Sequence, residues 1–233
     1  GMSGLLFACA AGEEEKAPNI IFILADDMGY GDVSALNENS KIQTPHIDKI
    51  ARQGVVFTDA HSSSSVSTPT RYGILTGRYN WRSTLKRGVL GGYSLPLIPR
   101  ERRTIASILK EQNYETACIG KWHLGWAWNN IEKGNEQVDF SKPITHGPLD
   151  LGFGYFYGIP ASLDMPPYVY VENNMPTAVP DRVTEDTGVQ SWWRKGLTAP
   201  DFDHHTTLSH LIDKAVEYID GKANQEKPFF LYL

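Results

Sequence analysis

Cysteine is scarce in this sequence, and long hydrophobic runs are missing from it. The 233 residues include two cysteines, Cys9 and Cys118, which excludes a fold held together by several disulfides. A disulfide between these two is not expected, because a flexible glutamate-rich segment follows Cys9. Cys118 falls in a predicted buried strand, where a thiol acts as a small hydrophobic side chain. The apolar run before Cys9 is too short to span a bilayer.

Positive charge is also in short supply. Lys and Arg total 22 against 27 Asp and Glu, which gives a net charge of −5. Nucleic-acid-binding domains carry clustered basic surfaces, so this balance argues against a nucleic-acid partner. The hydrophobic fraction of 41% is enough for a sizeable buried core. The six Trp, eleven Tyr and nine Phe residues suit core filling and stacking platforms for sugar rings equally well.

The first residues resemble the end of a bacterial lipoprotein signal. The run Leu6-Phe7-Ala8-Cys9 ends in the cysteine that would be lipidated. We therefore expect residues 1–17 to be a signal remnant and linker, and residues 18–233 to form the folded part. We therefore expect the protein to be exported, and to be either periplasmic or anchored to the bacterial envelope through Cys9. The alternative is an unrelated remnant with a chance cysteine, since no basic segment precedes the run.

Strand and helix patterns alternate along the rest of the chain. Residues 19–24 form a continuous apolar run, typical of a strand covered on both faces of a parallel sheet. Further strands are predicted at 55–57, 116–119 and 228–233, and helices at 45–53, from 69, at 104–112 and at 207–219. Residues 126–198 show little periodicity and are predicted to form long ordered loops. The fold class is therefore α/β, with a mainly parallel central sheet flanked by helices.

The predicted helices have defined ends and inward faces. Thr44 and Pro45 are typical of an N-cap and a first helical residue, and Gly54 of a stop. The side chains expected to face the core are Ile47 and Ile50 in this helix, and Leu208, Leu211, Ile212, Ala215, Val216 and Ile219 in the last one.

Two adjacent carboxylates, Asp26 and Asp27, follow the first apolar run. The carboxyl ends of central strands are where open α/β sheets bind ligands. Carboxylate oxygens are the hard ligands that Ca²⁺ and Mg²⁺ prefer. Without a cation nearby, two such groups in a closed site would raise each other's pKa. The alternative is a solvated turn after a strand.

The stretch Ser67-Thr68-Pro69-Thr70-Arg71 places a hydroxyl, a helix-starting proline and a fixed cation close together. Thr68 is predicted to cap a helix that begins at Pro69, with Ser67 just outside it and Arg71 in its first turn. An anion held there would meet free backbone amides and a guanidinium. The alternatives are a flexible polar loop for residues 62–67 and a surface helix arginine.

Lys121 and His123 alternate along a predicted extended segment, so both side chains should point to one side and Trp122 to the other. The pair comes at the end of a strand, where a ligand is expected. His204 and His205, beside Asp201 and Asp203, are interpreted as capping or packing residues rather than as a metal cluster. Asp164 is predicted to accept hydrogen bonds within a loop. No catalytic role is expected for His46, His61, His146 and His210.

Together these segments resemble the type I sulfatases, of the arylsulfatase-like, serine-type kind. The matching segments, in the family's order, are 18–27, 44–48, 67–78, 120–125 and 158–162. The resemblance implies an alkaline-phosphatase-like fold and hydrolysis of sulfate esters on a carbohydrate, such as a glycosaminoglycan or another sulfated glycan. It covers the amino-terminal portion of such enzymes, so residues 18–233 are expected to be part of a catalytic domain and to be inactive alone.

The resemblance also implies a role for each matching residue. The first residue of the S-x-P-T-R motif is oxidised to formylglycine, which places Ser67 there and requires a maturation enzyme. The hydrated aldehyde would give one oxygen to a metal and one to attack sulfur. Asp26, Asp27 and Ser67 would bind Ca²⁺, or alternatively Mg²⁺. The implied catalytic residues are Ser67, Arg71, Lys121 and His123, and the implied substrate contacts are Lys121 and Ser162.

Two other functions stay open at this stage. A phosphatase or phosphodiesterase of the same superfamily would use Ser67 directly with two transition metals, and its full set of metal ligands would distinguish it. A non-catalytic glycan-binding fragment would keep ligand affinity and show no hydrolysis after maturation.

Overall fold

Parallel strands form the middle of the structure, a computed structural model that describes residues 16–233. The strands are β1 (Ile20–Phe22), β2 (Glu115–Lys121), β3 (Tyr155–Ile159), β4 (Val171–Glu172), β5 (Met175–Pro176), β6 (Arg182–Thr187), β7 (Trp192–Thr198) and β8 (Phe229–Tyr232). Six of them form one sheet in the order β1-β8-β2-β3-β4-β5. Neighbours from β1 to β3 are parallel, whereas β4 and β5 are antiparallel additions. The predicted mainly parallel α/β fold is confirmed.

Four α-helices accompany the sheet in the described part of the chain. They are α1 (Pro45–Gln53), α2 (Ser67–Thr76), α3 (Ile105–Glu111) and α4 (Thr207–Lys222). Both α3 and α4 contact β2, whose five inner residues are all buried. Because successive side chains of a strand point to opposite faces, β2 is covered on both sides. Within residues 16–233, no helix combines the length and the apolar character needed to cross a membrane.

Several predicted elements are confirmed at nearly the predicted bounds. Thr44 is the N-cap of α1, Pro45 its first residue and Gly54 its C-cap. The helix predicted at 104–112 corresponds to α3, with the Thr104 hydroxyl capping its first turn. Cys118 is buried in β2, and burial raises the pKa of its thiol to about 12. The expected role as a small hydrophobic side chain is confirmed.

The prediction of full burial for the first strand is wrong. β1 lies at the edge of the sheet with β8 as its paired neighbour, and Ile21 and Phe22 are 43% and 42% exposed. Ile47 and Ile50 of α1, predicted to face inward, are also exposed. Residues 55–57 are exposed and form no strand. An apolar run indicates a strand, but it does not distinguish an edge position from a central one.

The prediction of long loops for residues 126–198 is wrong as well. This region contains β3 to β7, of which β6 and β7 form a separate antiparallel hairpin. Strands of two residues, such as β4 and β5, are too short to show a period of two. In α4, Leu211 and Ala215 are buried as predicted and Ile219 packs against the core, whereas Leu208, Ile212 and Val216 are exposed. The buried stripe of α4 is therefore narrower than predicted.

The predicted signal remnant and lipidated Cys9 lie outside the described residues, except for positions 16 and 17 of the linker. The signal remnant and the lipidation of Cys9 therefore stay predictions.

Candidate active site

Ser67 is the first residue of α2, and Val66 is the N-cap. The prediction that Thr68 caps the helix is wrong, because the Thr68 hydroxyl is bonded to other parts of the chain. The prediction that Ser67 lies just outside the helix is also wrong, because α2 begins at Ser67. Arg71 was predicted in the first turn of the helix, but it lies one full turn beyond Ser67. Residues four apart share a helix face, so Nε of Arg71 donates to Oγ of Ser67 over 3.0 Å.

The guanidinium of Arg71 joins three segments of the chain. Besides Ser67, it donates from Nη1 to the backbone oxygen of Lys121 over 2.7 Å and from Nη2 to Oδ2 of Asp26 over 3.4 Å. The residue is 5% exposed, so the alternative of a surface helix arginine is wrong. A planar fork of several donors can serve three acceptors in this way, whereas a lysine ammonium cannot match its geometry.

Lys121 is the last residue of β2, and its side chain faces the end of β1. Nζ donates to Oδ2 of Asp26 over 2.6 Å and to Oγ of Ser162 over 3.4 Å. Partial burial raises the pKa of Asp26, but the hydrogen bond and charge of Lys121, together with Arg71, outweigh it and hold this pKa below its ordinary value. Asp26 is therefore a carboxylate bound by two cations.

His123 reaches the same place from a left-handed backbone conformation, with a φ of 54°. Nδ1 lies 2.9 Å from Oγ of Ser67, and Nε2 lies 2.6 Å from the backbone oxygen of Leu90. Burial is the main cause that lowers the pKa of His123 to about 4, and the charges of Lys121 and Arg71 add to it. The ring is therefore neutral near pH 7. Trp122 packs the other way, edge-on against Phe153 and Phe156, as predicted.

Two cavities meet at Asp26 and Arg71. One of about 450 Å³ is also lined by Asp27 and Ser67, and one of about 440 Å³ by Lys121 and Ser162. Two cations, Arg71 and Lys121, therefore border the cavities beside a hydroxyl and a neutral imidazole. Such an arrangement can bind an oxyanion and move a proton at the atom that reacts with it.

Asp26, Asp27 and Ser67 are the residues whose oxygens could serve as ligands of a hard cation. All three residues line the first cavity, and carboxylate and hydroxyl oxygens are suitable ligands for Ca²⁺ or Mg²⁺. Within residues 16–233, no three His, Cys, Asp or Glu side chains gather as metal ligands. Since Ca²⁺ takes six to eight oxygens, these residues fit such a cation as part of its ligand set.

The backbone oxygen of Leu90 and the hydroxyl of Thr68 are site features that sequence reasoning missed. A leucine carries no chemical signal in its side chain, and its carbonyl becomes relevant only when the loop is folded against His123. Asp164 binds Arg194 through its carboxylate and its backbone oxygen, which agrees with a loop role. Its carboxylate faces the hydroxyl of Ser162 as well.

His204 packs against aromatic rings and shows no cluster of metal ligands around it in the described chain. Its ring stacks on Trp193 with centroids 3.8 Å apart and meets Tyr168 and Phe202 edge-on. The backbone N–H of His205 donates to Oδ1 of Asp203 over 2.9 Å. The interpretation as packing residues is therefore confirmed for His204.

Protonation of His204 predicts a pH-dependent contribution to stability. Burial lowers the pKa of His204 from 6.5 to about 4, although Asp203 opposes the shift. Because the unfolded chain binds this proton more readily, the free energy of unfolding should fall as the pH decreases from 6.5 toward 4. His204→Phe keeps the stacking and cannot be protonated, so urea unfolding should show a smaller fall in that variant. Exposed His46→Gln is the control, and equal falls in His204→Phe and the parent would contradict the prediction.

A family model described as Sulfatase matches residues 18–233. The chain belongs to the sulfatase family. It is 45% identical over 162 residues to an N-acetylgalactosamine-6-O-sulfatase of Bacteroides thetaiotaomicron, covering 70% of this chain and 30% of that protein. It is 31% identical over 251 residues to arylsulfatase G of Rattus norvegicus, covering 99% of this chain and 44% of that protein.

A solved structure supports the same assignment. It comes from work on the metabolism of multiple glycosaminoglycans by Bacteroides thetaiotaomicron, and it matches with a TM-score of 0.78 at 33% identity. The match covers 94% of this chain and 50% of that one. This sulfatase therefore spans less than half the length of the two curated relatives and half of the solved one. The alkaline-phosphatase-like fold expected for the family is confirmed.

Proposed function

We propose that this sulfatase hydrolyses sulfate esters on a carbohydrate, such as a glycosaminoglycan or another sulfated glycan. The observation that supports it is the connected set of contacts around Ser67. Arg71 and His123 both bond to its hydroxyl oxygen, and Lys121 is joined to Arg71 through Asp26. Hydrolysis of a sulfate ester needs a nucleophile, neutralisation of the sulfate oxygens and a proton for the leaving oxygen. This cluster offers groups for all three tasks.

Each residue has a distinct proposed role. Arg71 and Lys121 bind the sulfate oxygens, because Arg71 lines both cavities and Lys121 lines the second one beside Asp26. Arg71 also orients the oxygen of residue 67 through its Nε donor. His123, neutral and bonded to the same oxygen, holds or accepts a proton there. Ser162, which accepts from Lys121, contacts the sulfate or the leaving oxygen.

Two additions complete the proposed chemistry. Ser67 is oxidised to formylglycine by a maturation enzyme that accepts serine, and the hydrated aldehyde offers a hydroxyl to attack sulfur. Asp26, Asp27 and the oxygen of residue 67 would hold Ca²⁺, or alternatively Mg²⁺, and the cation would neutralise charge on the sulfate. The carboxylates and the nucleophile line one cavity, which supports this assignment.

The carbohydrate class and the location are part of the proposal. One of the similar proteins is named an N-acetylgalactosamine-6-O-sulfatase, and another comes from work on glycosaminoglycan metabolism. These descriptions favour a sulfated glycan as the substrate. The run that ends in Cys9 supports export, with the protein periplasmic or lipid-anchored to the bacterial envelope.

Replacing Lys121 or His123 tests the proposed function. Lys121→Ala and His123→Ala should each lower kcat for a sulfated monosaccharide by about 10²- to 10³-fold in the full-length, matured protein, because each removes a group from the reacting centre. Turnover is measured by sulfate release on a panel of sulfated mono- and disaccharides, with phosphate esters assayed in parallel.

Matched controls come from exposed residues of the same types. Lys110→Ala in α3 and His46→Ala in α1 remove an exposed lysine and an exposed histidine that line neither cavity, and both should leave kcat unchanged. Unchanged kcat in Lys121→Ala and His123→Ala would remove these residues from the site. Preferential hydrolysis of phosphate esters would instead favour a phosphatase.

A further inference from the structure

Thr68 links the loop around Leu90 to the backbone of His123. Its side chain lines neither of the two cavities. The residue is fully buried. Its hydroxyl donates to the backbone oxygen of His123 over 2.9 Å and accepts from the backbone N–H of Leu90 over 3.1 Å. One hydroxyl therefore serves as donor and acceptor at once, which valine or alanine cannot do.

The loop that Thr68 holds also determines which ring nitrogen of His123 carries the proton. The backbone oxygen of Leu90, 2.6 Å from Nε2, can only accept a hydrogen bond. In the neutral ring the proton must then lie on Nε2, which leaves the lone pair of Nδ1 toward Oγ of Ser67. Thr68 therefore holds Leu90 at its backbone N–H, and the carbonyl of the same residue bonds to His123.

Thr68 also holds the unusual backbone at His123. A φ of 54° is rare for a residue other than glycine, and it persists where surrounding contacts maintain it. The carbonyl of His123 accepts from Thr68, while its N–H donates to the backbone oxygen of Pro160 over 3.1 Å. The peptide units on both sides of the left-handed residue are therefore fixed.

We propose that Thr68 is a positioning residue that fixes the tautomer and placement of the His123 imidazole against residue 67. Because Thr68 follows Ser67 directly in α2, one turn of helix sets both the nucleophile position and its proton partner. The consequence for turnover rests on the proposed function, whereas the tautomer itself does not.

The experiment compares Thr68→Val, which has the same shape without the hydroxyl, with Thr68→Ser, which keeps it. Histidine-selective ¹⁵N labelling of the full chain, with Ser67 unmodified, reports the tautomer of each ring by NMR. In the parent and in Thr68→Ser, His123 should be protonated on Nε2 alone. In Thr68→Val, a mixture of the two tautomers is expected.

Turnover is the second readout. In the matured, full-length protein, kcat for a sulfated sugar should fall about 10- to 100-fold in Thr68→Val with little change in KM, and kcat in Thr68→Ser should stay close to that of the parent.

His146 is an internal control, because its Nε2 also bonds a backbone oxygen, that of Ile98, over 2.8 Å. Its signals should be identical in all three proteins. A single Nε2 tautomer at His123 in Thr68→Val, with His146 unchanged, would overturn the proposal, as would a tautomer mixture in Thr68→Ser. Should Thr68→Val fail to fold, hydrogen exchange of the Leu90 amide in the parent decides: protection supports the link to Thr68, and free exchange overturns it. Inactivity of all variants and the parent, with the predicted tautomers, would count against the proposed function alone.

Discussion

Ser67→Ala is expected to reduce hydrolysis of sulfate esters to background, a loss of about six orders of magnitude in kcat. The substitution removes the oxygen that Arg71 and His123 both contact, and with it the precursor of the proposed formylglycine. No other hydroxyl in the described chain receives both contacts. Turnover is measured as sulfate release by the full-length protein, produced in a host that matures serine-type sulfatases.

Ser65→Ala is the matched control for this prediction. Ser65 is exposed in the segment just before α2, two residues before Ser67, and its hydroxyl makes no hydrogen bond within residues 16–233. The variant should keep the kcat and the free energy of unfolding of the parent. Measurable turnover in Ser67→Ala, well above the uncatalysed rate, would show that another group attacks sulfur.

Arg71→Ala is expected to have the second largest effect, and it should act on both turnover and stability. The substitution removes three hydrogen bonds and leaves the backbone oxygen of Lys121 without its donor. An acceptor left unpaired in a buried place costs about 1–3 kcal/mol. Loss of the cation should lower kcat by about 10³-fold, because charge developing on sulfate is then uncompensated. Urea unfolding and sulfate release measure the two effects.

Arg71→Lys separates the loss of the hydrogen bonds from the loss of the charge. Arg100→Ala is the control for removing an arginine from the surface. Arg71→Lys keeps the charge but cannot reach three acceptors, so it should recover little of the turnover. Arg100 forms an ion pair with Asp150 at the surface, and pairs of this kind contribute about 0–1 kcal/mol. The prediction is wrong if Arg71→Ala is as stable as Arg100→Ala and turns over like the parent.

The sequence predicted the local parts of the site well, because those depend on short spacing. Ser67 and Arg71 are four residues apart, so their side chains share one face because the helix includes Ser67, although the capping pattern had placed Ser67 just outside it. Lys121 is the last residue of the buried strand β2, and parallel strands place their carboxyl ends at one edge of the sheet. That edge is where Asp26 meets Lys121.

The sequence could not predict the contacts that depend on how loops fold onto the sheet. Leu90 enters the site through a backbone oxygen, which no residue type signals. His123 was expected to follow strand alternation, yet its left-handed backbone brings the ring to Ser67. Thr68 matched a capping pattern, but its hydroxyl has two partners distant in sequence, 22 and 55 residues away.

The sequence also could not predict the position of each strand in the sheet. Residues 19–24 and 228–233 have similar apolar runs, yet β1 is half exposed at the edge and β8 is buried between β1 and β2. Strand order is set by pairing over the whole fold, whereas a hydrophobic run reflects only local composition. The hairpin of β6 and β7 mixes charged and apolar residues, so its pattern resembled a loop.

The state of residue 67 in active protein tests the account most directly. Trypsin should release residues 53–71 as one peptide, and mass spectrometry of this peptide from protein that hydrolyses sulfate esters measures the side chain at position 67. We expect a mass lower by two hydrogens, or that of the hydrate, which corresponds to the aldehyde derived from Ser67. An unmodified serine at this position in fully active protein would contradict the account.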